Sequence, residues 1–321
     1  MSQQEKIPVI AVVGPTAGGK TALAVQLALR YGGEVVNADS MQVYAEMEIA
    51  TAQPTERERG GVPHRLFGFI PPSQRFSVYD YVTVAAAEID DIVKVGRVPV
   101  LCGGSGLYAD TLLNGISLPK TKADPAYRAE LYAIAAGEQG GAALLARLRE
   151  VDPALAARLH SNDVKRIVRG LEVWHTEGVT LSELSRESRA KPSRYAPVYI
   201  GVNRTSRELL RDRIDRRVDA MVAGGLVSEA RRFFDKYGTD GSLTSAQAIG
   251  HKELRPYIYG GVGLDECVGR IKTVTRQYAK RQMTWFRRND DINWVYVDEF
   301  VNNDEILRYC ENVIDSYGII L

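Results

Sequence analysis

Eight consecutive residues constrain the fold most: Gly14-Pro15-Thr16-Ala17-Gly18-Gly19-Lys20-Thr21 satisfy GxxxxGK[ST] without a mismatch. They stand between a short apolar run, Ile7–Val13, and a helical pattern, Thr21–Tyr31, and this strand–loop–helix setting gives the pattern its meaning. Glycines let successive backbone N–H groups turn inward onto phosphate oxygens, and the following helix adds partial positive charge at its N-terminus. Lys20 supplies a full charge and Thr21 a hydroxyl for Mg²⁺. The loop predicts a phosphoanhydride ligand. By itself it does not separate a nucleoside triphosphate from another diphosphate ester.

The flanking patterns extend this start into a fold class. Glu34–Ala38 reads as a second strand ending at Asp39, Tyr79–Val95 as a helix, and Val98–Cys102 as a third strand running into Gly103-Gly104. Strands alternating with helices predict an α/β fold, a P-loop NTPase-like parallel sheet with helices on both faces. Ligands of such sheets bind beyond the carboxyl ends of the strands, so Gly14, Asp39 and Gly103 are expected to converge. From Leu118 the pattern changes. Pro119–Pro125 reads as a proline-bounded hinge, 125–190 as helices without a strand, and Tyr199–Val202 as a strand again. The expected division is a catalytic core of 1–118 and 201–321 around an inserted all-helical domain, 119–200; a length of 321 residues suits about two domains. Within the core, Arg207–Ala223 reads as a long basic helix ended by Gly224-Gly225. Another helix is expected from about Gly263 to Arg288, and a last strand at Trp294–Val297.

Charge is uneven along the chain. The formal total is +1, but residues 1–118 carry −3, 119–200 carry +3, 201–290 carry +7 and 291–321 carry −6. A basic middle suits a nucleic-acid face and also suits ordinary solvated helix faces. The three cysteines, Cys102, Cys267 and Cys310, form no CxxC pair and no zinc spacing with histidine, which suits a reducing compartment. The polar start, Met1 to Lys6, lacks an apolar signal core, and no apolar run reaches the roughly 18 residues that would span a bilayer. A cytoplasmic protein without membrane attachment is expected.

Two polar residues complete the chemistry readable from the residues alone. Asp39, in Asn37-Ala38-Asp39-Ser40, could enter a Mg²⁺ shell, cap a helix, or act as a base. Ser105, in Cys102-Gly103-Gly104-Ser105-Gly106-Leu107-Tyr108, could cap a helix or join Asp39 in gripping an amine nucleophile. His64 reads equally as a substrate contact and as a structural loop histidine. Trp174 and Trp285, at helical spacing among apolar residues, read as core rather than as base-stacking platforms.

Taken together, GPTAGGKT, DSMQVY, ATAQPT (50–55), VPHRL (62–66), CGGSGLY and YAKRQMTWFRR (278–288) resemble the tRNA dimethylallyltransferases, in the same order over about residues 8–290. The resemblance implies transfer of a dimethylallyl group from dimethylallyl diphosphate to N6 of the adenine 3′ to the anticodon. Carried over by position, Thr16–Thr21 hold the diphosphate, Asp39 is the general base, and Lys20, Ser105, Arg213 and Arg217 join it in catalysis. The tRNA anticodon stem-loop would be met by Asp39, Ser40, Met41, Gln42, Ser105, Arg128, Lys165, Arg166, Ile167, Val168, Arg169, Gln247, Ala248, Ile249, Gly250, His251 and Lys252. Mg²⁺ is the implied cofactor, and a monomer is expected because the tRNA must straddle both domains. Departures from the family pattern are Gly18 for Ser, Ala50 for Gly, Gln53 for Lys and Arg65 for His. The zinc finger of larger eukaryotic relatives is missing, which resembles the bacterial type. Rival readings are a free-adenylate isopentenyltransferase and a small-molecule P-loop kinase; Ser40 and the Lys165–Arg169 stretch favour tRNA.

Overall fold

The computed structural model describes residues 6–116, 124–190, 192–239, 241 and 243–318. Six parallel strands form one sheet in the order β3-β2-β4-β1-β5-β6: β1 (Ile7–Val13), β2 (Glu34–Asn37), β3 (His64–Arg65), β4 (Pro99–Gly103), β5 (Tyr195–Asn203) and β6 (Asn293–Tyr296). The helices are α1 (Lys20–Arg30), α2 (Glu56–Arg59), α3 (Val78–Lys94), α4 (Gly106–Leu113), α5 (Pro125–Ala135), α6 (Gly140–Val151), α7 (Pro153–Ala156), α8 (Val164–Glu177), α9 (Leu181–Arg189), α10 (Arg207–Ala223), α11 (Leu226–Tyr237), α12 (His251–Gly260), α13 (Leu264–Phe286) and α14 (Asn303–Ser316).

The apolar run of β1 is continuous because it is buried on both faces. Val9, Ala11 and Val13 join a cluster with Tyr81, Ile89 and Leu112 from α3 and α4. The alternate residues Ile10 and Val12 join Leu23 and Leu27 of α1 and Ile306 and Ile314 of α14. Pairing of Ile10 with Val100 and with Val198 makes β1 central. Helix boundaries follow local chemistry: Ser77 and Asp80 form a capping box at the start of α3, and Ser206 accepts from Leu209 N at the start of α10.

The chain divides into two compact units, one of Met1–Leu113 with Arg194–Leu321, the other of Asn114–Ser193. The second holds α5 to α9 and has its own core of Leu131, Leu144, Leu148, Ile167 and Leu171. The expected insert boundary at 200 lies inside β5, which begins at Tyr195 and pairs with Ile7. Pro197 obscured that start, since proline seldom sits within a strand. It is tolerated because β6 pairs only from Ile200 onward, leaving one side of Pro197 without a ladder to break. Residues 119–123 of the expected hinge lie outside the described residues. No pattern named in the sequence announces β3, α11 or α14. Among the described residues no helix is long and apolar enough to cross a membrane.

Candidate active site

The loop from Gly14 to Gly19 lies at the carboxyl end of β1 and opens α1. Gly14 has φ 139, and a Cβ there would stand 2.3 Å from Val202 O, so the loop's packing against β5 requires glycine. Lys20 Nζ donates to Pro15 O at 2.7 Å, folding the side chain back over the loop. Burial pulls its pKa down to about 8, against the opposing pull of Asp39. Lys20 and Thr21 line a cavity of about 310 Å³.

Asp39 lines the same cavity. Its position is set by a turn in which Asn37 Oδ1 accepts from Asp39 N at 2.8 Å and Asp39 Oδ1 accepts from Met41 N at 3.0 Å. Asn37 is itself anchored by donating to Leu66 O at 3.0 Å. Ser105 Oγ accepts from Ser40 N at 2.9 Å and donates to Ser40 Oγ at 3.1 Å, so it braces the segment after Asp39. The Tyr278 phenol completes this corner through hydrogen bonds with Ser105 and Gln282; burial and then Asp39 push its pKa above the usual range.

The two arginines of α10 separate. Arg217 is half-buried in the cavity wall, with Nη1 donating to Thr16 Oγ1 and Nη2 to Ala52 O, both at 3.4 Å. Burial holds its pKa below the ordinary arginine range. Arg213 is exposed and reaches the loop from outside, its Nε donating to Ala17 O at 3.3 Å. The loop bearing Ala52 is held from two sides. Gln42 Nε2 donates to Thr51 O at 3.0 Å and to Ala52 O at 2.9 Å. Glu229 of α11 accepts from Ile49 N at 2.8 Å and from Ala50 N at 2.9 Å.

Four residues to which the sequence reading gave no role in the site prove central: Tyr278, Gln282 and Trp285, all within the 278–288 motif, and Glu229. Gln282 of α13 accepts from Thr16 N at 2.9 Å and donates to Gly104 O at 3.0 Å, stitching the phosphate loop to the glycine turn after β4. Trp285 Nε1 donates to Asp110 Oδ2 at 2.7 Å. A signal for two of these lay in the glycines, because a Cβ on Gly104 or on Gly106 would approach Gln282 or Trp285 to 2.1 Å.

Of the expected RNA-contacting residues, Asp39, Ser40, Met41, Gln42, Gln247, Ala248, Ile249 and Gly250 share the one cavity. Lys165, Arg166 and Lys252 are exposed. Others need correction. His251 is 0% exposed and meets Glu229 Oε1 at 2.9 Å, so it cannot touch an external ligand. Ile167 and Val168 are buried in the insert core, because they fall on the inward face of α8. Arg128 is not among the buried ones: it donates two hydrogen bonds of 2.6 and 2.9 Å to buried Glu172, and its side chain stays 40% exposed. Trp174, expected in a core, is 40% exposed, whereas Trp285 packs against one. His64 lines the cavity, with Nδ1 meeting Val62 O at 2.8 Å and a buried Nε2 that has no protein partner; burial holds its pKa below the usual value. Gln53 donates to Tyr44 O at 2.7 Å, and Arg65 pairs with Glu34 and Glu88. No group of three or more potential ligands among the described residues could hold a metal alone. Thr21 lines the cavity and would offer its hydroxyl to a Mg²⁺ held mainly by the oxygens of a bound diphosphate, the ordinary manner for this ion.

The chain is similar in sequence and in fold to known proteins. The profile described as IPP transferase matches residues 42–289, and one described as Isopentenyl transferase matches residues 7–67. The tRNA dimethylallyltransferase of Acetivibrio thermocellus is 39% identical over 313 residues, covering 98% of this chain and 99% of that one. Its counterpart in Roseiflexus sp. is 45% identical over 282 residues, covering 88% and 90%. Among solved structures, the tRNA isopentenylpyrophosphate transferase of Bacillus halodurans superposes with TM-score 0.72 at 40% identity, covering 97% of this chain and 96% of that one. A eukaryotic dimethylallyltransferase acting on tRNA superposes with TM-score 0.83 at 29% identity, covering 97% and 80%.

Proposed function

The chain belongs to the IPP transferase family, and we propose that its central cavity moves a dimethylallyl group from dimethylallyl diphosphate to N6 of the adenine 3′ to a tRNA anticodon. The observation that carries this reading is the convergence of Lys20, Thr21, Asp39 and Arg217 on one cavity with Gln247–Gly250. Breaking the allylic C–O bond leaves an anionic diphosphate. Lys20, Arg217 and the loop N–H groups would hold that charge, and preorganised donors of this kind are usually the largest catalytic term. Arg213, outside the cavity wall, would support the loop through Ala17 O. Thr21 would hold Mg²⁺ together with the substrate, and the ion would supply further charge neutralisation.

The adenine amine is a weak nucleophile because its lone pair is delocalised into the ring. Asp39 would take its proton as the new C–N bond forms, with Met41 N fixing the carboxylate and Asn37 fixing the Asp39 backbone. Ser105 acts at one remove, by holding Ser40. The base must leave its stack to reach this cavity, at a cost of a few kcal/mol. Lys165, Arg166, Arg169 and Lys252 would meet the phosphate backbone. We take the enzyme to act as a cytoplasmic monomer, in keeping with three unpaired, buried cysteines.

Incubation with labelled dimethylallyl diphosphate, Mg²⁺ and either bulk tRNA or AMP tests this. Label in tRNA is expected. Label in AMP alone would assign the chain to free-adenylate prenylation, and phosphate transfer from ATP would make it a kinase.

A further inference from the structure

A second cavity, of about 600 Å³, opens where β5 gives way to α10 and is closed by the C-terminal half of α13. Its wall carries Arg204, Arg207, Arg211, Arg276, Lys280 and Arg287 against one carboxylate, Glu299. Arg276 is paired with Asp215 at 3.2 Å. Arg207, Arg211, Lys280 and Arg287 have no ion-pair partner among the described residues. So much unpaired positive charge around one recess calls for an anion.

Two interior atoms narrow the ligand. Asn203 is 6% exposed, lines the cavity, and its Oδ1 has no hydrogen-bond partner. Arg204 Nε is likewise buried without one. Buried polar atoms are normally satisfied, so an unpaired acceptor beside an unpaired donor marks a place for a partner from outside the protein. The floor is apolar, with Ile214, Met283 and Tyr296. An anion for the rim, a hydroxyl for Asn203 Oδ1 and a flat surface for the floor describe one kind of molecule.

We propose that this cavity is a second binding site, separate from the phosphate loop, for a ribonucleotide unit: phosphate on the arginine rim, ribose hydroxyl on Asn203, base on the Tyr296 side. The chemistry is common to a nucleotide of the RNA substrate and to a free nucleotide; the first source rests on the function proposed above. Nearness to the phosphate loop gives the site a means of influence, since Ile214 lines both cavities and Val202, next to Asn203, packs on Gly14.

The double variant Arg207→Gln/Arg211→Gln removes two exposed charges and leaves Arg213 and Arg217 in place. Anticodon stem-loop RNA is titrated against it and the unsubstituted protein by fluorescence anisotropy at several salt concentrations. ADP is titrated separately with dimethylallyl diphosphate saturating the phosphate loop. If RNA is the source, its Kd rises about tenfold and the salt slope flattens by about 2. A DNA stem-loop of the same sequence binds the unsubstituted protein more weakly than the RNA, because it lacks the 2′-hydroxyl that Asn203 would meet. If a free nucleotide is the source, ADP binding falls and RNA binding does not. Unchanged Kd values for both ligands, or a KM for dimethylallyl diphosphate that rises with them, would overturn the proposal. Prenyl transfer by the unsubstituted protein is scored independently, so failure of that reaction and failure of this site are told apart.

Discussion

Asp39 has two duties that substitution can separate. Its Oδ1 accepts from Met41 N, a structural task that asparagine performs equally well. Taking a proton from the amine is a task asparagine cannot perform. Asp39→Asn is therefore expected to keep RNA affinity and lose about 10²–10⁴-fold in kcat. Single-turnover rates at saturating RNA measure it, and undiminished turnover would remove Asp39 from the role of base. Lys20 gives a second prediction, from pH. With its pKa lowered to about 8, the free enzyme holds the ammonium below that pH and loses it above. A bound diphosphate stabilises the charged form and so draws the pKa upward. The KM for dimethylallyl diphosphate should accordingly stay flat below about pH 8 and climb above it. Lys20→Arg, charged throughout, should abolish the climb; a profile identical in the two proteins would assign the break to another group.

At the scale of elements, the site is a set of loops held by helices that arrive late in the chain. The phosphate loop was legible because its residues are contiguous and their conformation is local. Asp39 and the glycine turn were legible because each follows a strand. Gln282 and Glu229 were not, since helical periodicity shows which face is buried but not which loop it meets. His251 illustrates the opposite error: resemblance marked the whole Gln247–Lys252 segment, yet packing of α11 on α12 turns that one ring inward against Glu229 and Phe233. The pair makes a testable chain, running from Glu229 to the amides of Ile49 and Ala50, and from Ala52 O to Arg217. Glu229→Gln keeps only one acceptor oxygen where two amides need one each, and orphaning a buried N–H costs about 1–3 kcal/mol. If the loop positions Arg217, steady-state kinetics should show the KM for dimethylallyl diphosphate up about tenfold with RNA affinity unchanged. A uniform loss of folded protein with normal KM in the remainder would confine Glu229 to stability.

The whole molecule joins two separately cored units, and that separation has an energetic consequence. The sheet-bearing unit packs around both faces of β1, while the helical unit packs around its own cluster, in which Leu144 is 0% exposed. Leu144 belongs to a cluster built from residues of the helical unit. Leu144→Ala removes buried volume from the helical core alone and should destabilise that unit by about 2–5 kcal/mol. Residues in separate cores act nearly additively, so the KM for dimethylallyl diphosphate should stay within about twofold. RNA affinity should fall, because Lys165, Arg166 and Arg169 sit on α8, whose inward face rests on the damaged core. Denaturant unfolding followed by hydrogen exchange would locate the loss, and filter binding would read the RNA. If the variant bound diphosphate weakly and RNA normally, the assignment of phosphate chemistry to one unit and backbone contact to the other would have to be reversed.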